Sequence, residues 1–375
     1  MKKLIFKNLN KDITGFFLIS TISMTVIVWV IQAVNLLDFI SEDGHSFKIY
    51  FMYSLLNLPK IFSRILPFMF FISVFYTMTK YEEKNQLIIF WLNGVHKLEF
   101  LKNLLMYSML FLIFQLILTS YIVPKTQDLA RSYIRSSTMD FFPKLIKEKK
   151  FIDAISNLTI YVEKKNRNGE LFNIYFKEQI NKNNNESQTI YAKKGRIIKK
   201  DENHWLVMNV GKIITQTDKQ TNILSFDETQ INLSKYKSKT TTFPKIKELE
   251  TKILLQCAKA LHLKQEYMSE NRFLTCNGEI NSAVISELLR RLYLPLYLPI
   301  LALIVSFLAL TSKDKINYNS FKLKIFLTST IILIVSELSL RYSGISLVKN
   351  SIFISIPALI FIFSITMYNK KLKLN

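Results

Sequence analysis

Long stretches without a charged residue limit the fold of this sequence more than any other feature. Four of them run for 20 to 25 residues, and a helix needs about 20 apolar residues to cross the hydrocarbon core of a bilayer. They lie at residues 13–37, 103–124, 292–312 and 350–369. A shorter stretch at 65–79 and one at 325–340, interrupted by Glu337, complete the set. The sequence therefore predicts six transmembrane helices, three on each side of a long polar section.

The composition indicates a protein that lies only partly in the membrane. Of its 375 residues 49% are hydrophobic, yet 21% are charged. The net charge of +22 could attract nucleic acid, but a nucleic-acid binder presents a solvated basic face and not apolar stretches of membrane length. We therefore expect no nucleic-acid partner, and we predict an α+β membrane protein.

Lysine and arginine in the short flanks of the spans predict the orientation. One set of flanks carries fifteen of these residues and the alternate set carries five. Because positive flanks stay in the cytoplasm, we expect a multi-pass protein of the bacterial inner membrane with both termini and the 80–102 connection in the cytoplasm. The polar section then lies outside, and the expected domains are 1–124, 125–281 and 282–375.

The polar section has the pattern of short β-strands, rich in β-branched and aromatic residues. The runs lie at 158–162, 171–176, 189–192, 205–208, 213–217, 223–226 and 228–233. Asn168-Gly169 separates the first two and indicates a hairpin, because both residues tolerate positive φ. With Gly195 and Gly211 expected at further turns, we predict a sandwich-like, jellyroll-like β domain in the periplasm.

A helix that returns toward the membrane is predicted by apolar residues at helical spacing over 244–267. It contains one of the two cysteines. Cys257 and Cys276 could pair in an oxidising compartment, but we expect two buried free thiols. They form no Cys-x-x-Cys motif, and the four histidines fall in unrelated segments. The sequence therefore predicts no metal site and no cofactor.

Two kinds of catalytic chemistry are missing from the sequence pattern. A phosphate-binding loop needs closely spaced glycines, and the closest pair, Gly195 and Gly211, is sixteen residues apart. An intramembrane enzyme needs reactive side chains at membrane depth, where Glu337 is the only acidic residue and Arg341 at i+4 is expected to pair with it. We predict a chain that is not an enzyme, so any ATPase must be another chain.

The connection between the second and third predicted spans contains a short apolar helix. It begins at Gln86, and Gly94 lies where a glycine commonly ends a helix. An apolar segment in the cytoplasm needs a partner surface or the lipid interface. Two interpretations stay open: a helix that lies on the bilayer, and a coupling helix that docks into a cytoplasmic ATPase.

Several short motifs follow one another in a distinctive order. They are Leu58-Pro59, Ile65-Leu66-Pro67, Asn85-Gln86-Leu87, Asn93-Gly94, Tyr121-Ile122-Val123-Pro124, Leu158-Thr159-Ile160-Tyr161-Val162, Asn168-Gly169-Glu170-Leu171 and Glu287-Leu288-Leu289-Arg290-Arg291-Leu292. None is specific alone, but over nearly the whole chain their order resembles the LptF/LptG permeases of lipopolysaccharide export. Residues 141–162 and the Arg290-Arg291 pair look more like LptF than LptG.

The resemblance implies a substrate and a set of partners. An LptG-like permease would form with this chain a cavity open to the outer leaflet, and an LptB-like ATPase dimer would lie below it. Closure driven by ATP would expel lipopolysaccharide toward LptC-like and LptA-like proteins. The ATPase contact would fall within residues 82–94, on Glu83, Gln86, Leu87, Trp91 and Gly94. The family usually has a glutamate where this chain has Gln86.

Basic residues at the outer ends of the spans are candidates for holding the phosphates of lipopolysaccharide. They are Lys60, Arg64, Arg131, Arg135, Arg290 and Arg291. Arginine suits a phosphate because its planar fork donates two parallel hydrogen bonds. The alternative is that these residues extend to anionic headgroups or pair with local carboxylates such as Glu287.

Two other functional classes remain open from the sequence. A mechanotransmitting permease of the lipoprotein-release type moves no substrate through its own spans and has four of them, so the number of spans distinguishes it. A structural scaffold of an envelope complex would leave lipopolysaccharide export intact when depleted.

Overall fold

The computed structural model describes fourteen segments of the chain. They are residues 2–37, 46–137, 146–155, 157–166, 169–181, 186–200, 203–217, 220–233, 245–262, 267–268, 275–276, 280–314, 317–343 and 347–374. The chain forms two compact units. Unit 1 comprises Met1–Ile31, Asn57–Asp128 and Lys245–Asn375, and unit 2 comprises Gln32–Leu56 and Leu129–Pro244. The predicted domain limits stay a prediction.

Six helices in the described residues are long and apolar enough to cross a membrane. We number them spans one to six: Lys2–Asn35, Phe47–Glu83, Lys97–Ile134, Asn281–Leu310, Tyr318–Leu340 and Phe353–Lys373. Three precede the β-strands and three follow them. The prediction of an α+β membrane protein with a 3 + 3 division is therefore confirmed.

The spans are built from helices that Pro or short 3₁₀ and π turns interrupt in places. The helices are α1 (Lys2–Asn35), α2 (Phe47–Leu56), α3 (Leu58–Glu83), α4 (Gln86–Leu92), α5 (Lys97–Ile117), α6 (Val123–Ser137), α7 (Thr251–His262), α8 (Asn281–Leu292), α9 (Tyr297–Ser306), α10 (Tyr318–Tyr342) and α11 (Leu347–Leu374). A π turn at Leu118–Ile122 joins α5 to α6, and a 3₁₀ turn at Ile246–Glu248 precedes α7.

Helix α9 forms the centre of the core of unit 1. All ten of its residues are buried, and it packs against α3, α5, α10 and α11. Its sequence is apolar on every side, as expected for a helix that contacts protein all round. Span one, by contrast, exposes many apolar residues, including Ile19, Ile27 and Ile31. Such a surface suits contact with lipid rather than with water.

Unit 2 carries one six-stranded antiparallel sheet in the described residues. Its strands are β1 (Phe151–Ile155), β2 (Leu158–Lys165), β3 (Glu170–Asn181), β4 (Glu186–Lys200), β5 (Asn203–Gln216) and β6 (Thr221–Asn232), and each pairs with the next along the chain. One face buries a cluster that includes Ile160, Phe176 and Ile190. The sequence predicted a sandwich, whereas the described strands of unit 2 form a single sheet in sequential order.

The prediction that Gly195 and Gly211 lie at turns is wrong. Gly195 lies within β4 and Gly211 within β5. A Cβ at Gly195 would lie 2.5 Å from Ile174 Cδ1 and 2.9 Å from the Val207 oxygen. A Cβ at Gly211 would collide with the Tyr191 oxygen and the Phe226 ring. Both glycines are therefore needed for close packing inside long strands.

The expectation of two free thiols is also wrong, because Cys257 and Cys276 form a disulfide. It joins α7 to the short strand β8 (Thr275–Cys276), which pairs with β7 (Tyr267–Met268). Both cysteines are buried in a small cluster with Leu254 and Val284, which packs α7 against α8. The predicted helix over 244–267 is observed as the shorter α7.

We expect Gly211→Ala to destabilise the sheet by about 1 to 3 kcal/mol, because the new methyl group overfills a packed site. The matched control is Gly15→Ala, since a Cβ at Gly15 has no neighbour within 4 Å. Amide hydrogen exchange in β4 and β5 measures the effect. Equal exchange rates in both variants would contradict the close packing at Gly211.

Candidate functional site

Helix α4 ends in a backbone motif that fixes where the chain turns after it. Gly94 has a φ of +70°, which glycine adopts without strain. The Gly94 N–H donates to the Trp91 oxygen and the Val95 N–H to the Phe90 oxygen, both at 3.0 Å. These are the two hydrogen bonds of a Schellman motif. The prediction that Gly94 ends this helix is confirmed.

One face of α4 is part of the core of unit 1. Leu87 and Phe90 are each 1% exposed. The Phe90 ring lies 5.5 Å from that of Phe6 and 5.3 Å from that of Phe100. Trp91 is partly buried, 5.8 Å from Phe100. Leu87, which the sequence grouped with the ATPase contact, therefore packs against its own chain.

The opposite face of α4 is apolar and exposed. Ile88 and Ile89 are each 48% exposed, and Leu92 is 81% exposed. We call Ile88, Ile89 and Leu92 the outer face of α4. The sequence analysis missed these residues, although helical spacing carries the signal, because positions 88 and 92 lie together and apart from 87 and 90. Exposed apolar side chains this close together indicate a contact with a partner or lipid.

The carboxylates before α4 bind the connection between spans four and five. The Lys313 N–H donates to Glu82 Oε1 at 2.7 Å, and Lys313 Nζ donates to the backbone oxygen of Glu83 at 3.2 Å. Lys322 Nζ forms an ion pair with Glu83 Oε1, also at 3.2 Å. The Glu83 side chain is still 57% exposed. The start of the coupling segment is therefore joined to the second set of three spans.

Two of the predicted phosphate ligands lie near each other in unit 1. Lys60 donates to Gln127 Oε1 at 3.0 Å, and Gln127 Nε2 donates to Asn57 Oδ1 at 3.0 Å. Arg64 is exposed and repels the Lys60 ammonium. Where the chain returns to unit 1, Lys245 and Lys247 also repel Lys60, whereas Glu248 attracts it. The sequence analysis did not name Lys245 or Lys247 as candidate phosphate ligands.

The remaining candidates differ in how far they are exposed. Arg131 is buried in α6 and has partners within the chain. Arg135 follows one turn later in α6, and its side chain lies outside the described residues. Arg290 is partly buried in α8. Whether these residues bind lipid phosphates stays a prediction.

Arg291 is a predicted ligand whose guanidinium is bonded within the chain. It is 2% exposed, and its Nε donates to Glu287 Oε1 at 3.1 Å. Nη1 donates to the Leu249 oxygen at 2.8 Å and to Thr251 Oγ1 at 2.9 Å, and Nη2 donates to the Lys247 oxygen at 3.1 Å. Four guanidinium donors are therefore used within the protein.

The face of the sheet opposite its buried cluster carries a row of aromatic rings. Phe151, Tyr161, Tyr175 and Tyr191 are paired in register across β1 to β4. Tyr175 and Tyr191 have ring centroids 5.3 Å apart, and burial and Tyr191 raise the pKa of Tyr175. The row lines an open groove of about 1060 Å³ with Lys193 and Lys212. Such a surface offers ring stacking and cationic contacts.

Two further predictions from the sequence concern an ion pair between Glu337 and Arg341 and the absence of a metal site. Glu337 lies in α10, but the side chain of Arg341 is outside the described residues, so the expected ion pair stays a prediction. Among the side chains that the structure describes, no group of three His, Cys, Asp or Glu residues is placed to hold a metal ion.

The family model for the lipopolysaccharide export system permease LptF/LptG matches residues 7–370. The chain belongs to the LptF/LptG family. The match covers all three parts of the fold, from span one through the sheet to the last helix. It does not distinguish LptF from LptG.

One protein with a similar sequence bears only the name of an uncharacterized protein. An uncharacterized protein of Rickettsia prowazekii (strain Madrid E) is 26% identical over 234 residues, which are 61% of this chain. The match covers 63% of the length of that relative, a little less than two thirds.

Proposed function

We propose that this LptF/LptG-family chain is a permease subunit that extracts lipopolysaccharide from the inner membrane and delivers it to a periplasmic bridge. The observation that carries the proposal is the family match over residues 7–370. The six spans and the sheet inserted between them support it. A mechanotransmitting permease with four spans fits less well, since the described residues include six candidate spans.

The energy source in this proposal is a separate ATPase, and the chain itself is not catalytic. The wide spacing of its glycines supports this, because a phosphate-binding loop needs several within a few residues. An LptB-like ATPase dimer, an LptG-like second permease, and LptC-like and LptA-like proteins complete the proposed complex. No cofactor is proposed for this chain.

Depletion of the chain tests the proposed function in cells. We expect lipopolysaccharide to accumulate in the inner membrane and to decline at the cell surface, because its only exit requires the permease. Membrane fractionation with quantification of lipid A in each membrane provides the measurement. Normal surface lipopolysaccharide after depletion would favour a structural scaffold instead.

The ATPase contact in this proposal is the outer face of α4, together with Gln86 at its first position and Glu83 before it. Ile88, Ile89 and Leu92 are exposed, while Leu87 and Phe90 hold the helix on its own chain. Trp91 and Gly94 then orient α4, and they form only a small part of the contact surface. Gln86 replaces the glutamate usual in the family, so Glu83 is the nearby exposed carboxylate that remains.

We expect Leu92→Asp to detach the ATPase without unfolding the chain. At a packed contact the new charge would be buried without a partner, which costs about 3 kcal/mol or more, roughly a hundredfold in affinity. Co-purification of the ATPase with the tagged chain measures the loss. Leu224→Asp, at an exposed leucine of β6, is the matched control and should retain the ATPase.

Leu87→Asp gives the contrasting result, because Leu87 is buried within the chain. We expect less folded protein and not a folded chain that lacks its ATPase. If the Leu92→Asp chain keeps the ATPase through purification, α4 lies on the bilayer and the proposed contact is wrong.

The proposed orientation places both termini and α4 in the cytoplasm and the sheet in the periplasm. The excess of Lys and Arg in one set of flanks supports it. The Cys257–Cys276 disulfide supports it independently, since disulfides persist in the oxidising periplasm and are rare in the cytosol.

Reporter fusions test this orientation. Alkaline phosphatase inserted after Thr217, at the end of β5, should be active, and a fluorescent protein fused after the last span should be fluorescent. Active phosphatase at the C-terminal fusion together with inactive phosphatase at Thr217 would reverse the topology.

A further inference from the structure

The chain leaves unit 1 after Asp128, near the end of span three, and returns to it at Lys245. The returning segment, residues 245–251, meets spans three and four at the hydrogen bonds of Arg291. The guanidinium donates to the Lys247 and Leu249 oxygens and to Thr251 Oγ1. Its planar fork thus holds three alternate positions, from the 3₁₀ turn to the first residue of α7.

The same residues also bind span three. Thr251 Oγ1 donates to the Ser120 oxygen at 2.5 Å, and Thr119 Oγ1 shares its one hydrogen between the Arg291 and Gln115 oxygens, each at 2.9 Å. Thr119 and Ser120 lie in the π turn Leu118–Ile122. Turns of this type are often found at functional sites, since they release backbone groups from the regular helical pattern. Span three is therefore joined to the returning segment and to the start of span four.

We propose that Arg291 is a positioning residue that clamps the returning segment to spans three and four, so that movement of these spans in the transport cycle reaches the chain that leads to the sheet. We call Arg291, Glu287, Thr251, Thr119 and Ser120 the Arg291 clamp. The proposal rests on the proposed transport function. It assigns Arg291 a coupling role instead of contact with substrate.

The surroundings of the Arg291 clamp support a mechanical role. Glu287 balances the buried charge at i−4, so the guanidinium needs no external anion for neutrality. Beyond Thr251, the cluster of Leu254, Val284 and the disulfide packs α7 on α8. The returning chain is thus fixed to span four twice, once by hydrogen bonds and once by apolar packing.

Arg291→Lys tests the Arg291 clamp because lysine keeps the charge and loses the fork. The variant is studied in the full complex, with Arg196→Lys, at an exposed arginine of β4, as the matched control. We expect amides of α7 to exchange about tenfold faster or more, since hydrogen bonds to charged groups are lost. We expect partner subunits and ATP hydrolysis to be retained, and lipopolysaccharide released per ATP to fall severalfold.

A covalent rescue separates the clamp from a phosphate ligand. Ser120→Cys and Thr251→Cys, introduced together into the Arg291→Lys chain and oxidised, should restore both slow exchange and transport per ATP. A phosphate ligand would behave differently: its loss would lower transport without changing exchange in α7, and the crosslink would restore nothing. Either of those results overturns the Arg291 clamp. If the wild-type complex itself releases no lipopolysaccharide, the proposed function fails, while the exchange data still decide whether the clamp exists.

Discussion

The hydrocarbon core of the bilayer is the constraint on which this fold depends. It offers no water to unpaired backbone groups, so a chain within it must satisfy them inside each helix or in a closed barrel. An open sheet with two edge strands, like the one from β1 to β6, is excluded from that layer. The chain therefore separates into six apolar helices and an inserted polar sheet.

Span four is the element through which the halves of the helical unit are joined. Its central helix α9 is buried on all sides, and both of its ends are held by polar contacts. Arg291 in α8, before α9, binds the returning segment, and the Lys313 N–H after the end of the span binds Glu82 of span two. Glu82 lies four residues before the start of α4. A displacement of α4 would thus reach span four through the Glu82–Lys313 hydrogen bond, and the Arg291 clamp along span four.

The spans and the end of α4 were predictable because their signals are local. Apolar length specifies a span, and Gly94 specifies a helix end through its positive φ. The orientation of side chains was harder. Leu87 and Leu92 look alike in sequence, and only the packing of Phe6 and Phe100 against α4 decides which is buried.

Long-range pairing explains the wrong predictions. Gly195 and Gly211 indicated turns because glycine is common in turns. Both lie inside strands, where Ile174 and Phe226 of neighbouring strands leave no room for a larger side chain. The thiols of Cys257 and Cys276 meet because α7 and β8 fold together, which spacing alone does not show. Likewise, Arg291 was chosen as an arginine near a span end, and its partners at 247–251 come from a distant part of the sequence.

Reconstitution tests the central claim most directly. The chain is assembled with its second permease and its ATPase in proteoliposomes that contain lipopolysaccharide, and transfer to a soluble periplasmic acceptor is followed over time. The account predicts transfer that requires ATP and this chain, and that stops when the ATPase cannot hydrolyse ATP. Transfer that proceeds equally without this chain, or a complete complex that hydrolyses ATP and releases no lipopolysaccharide, would contradict it.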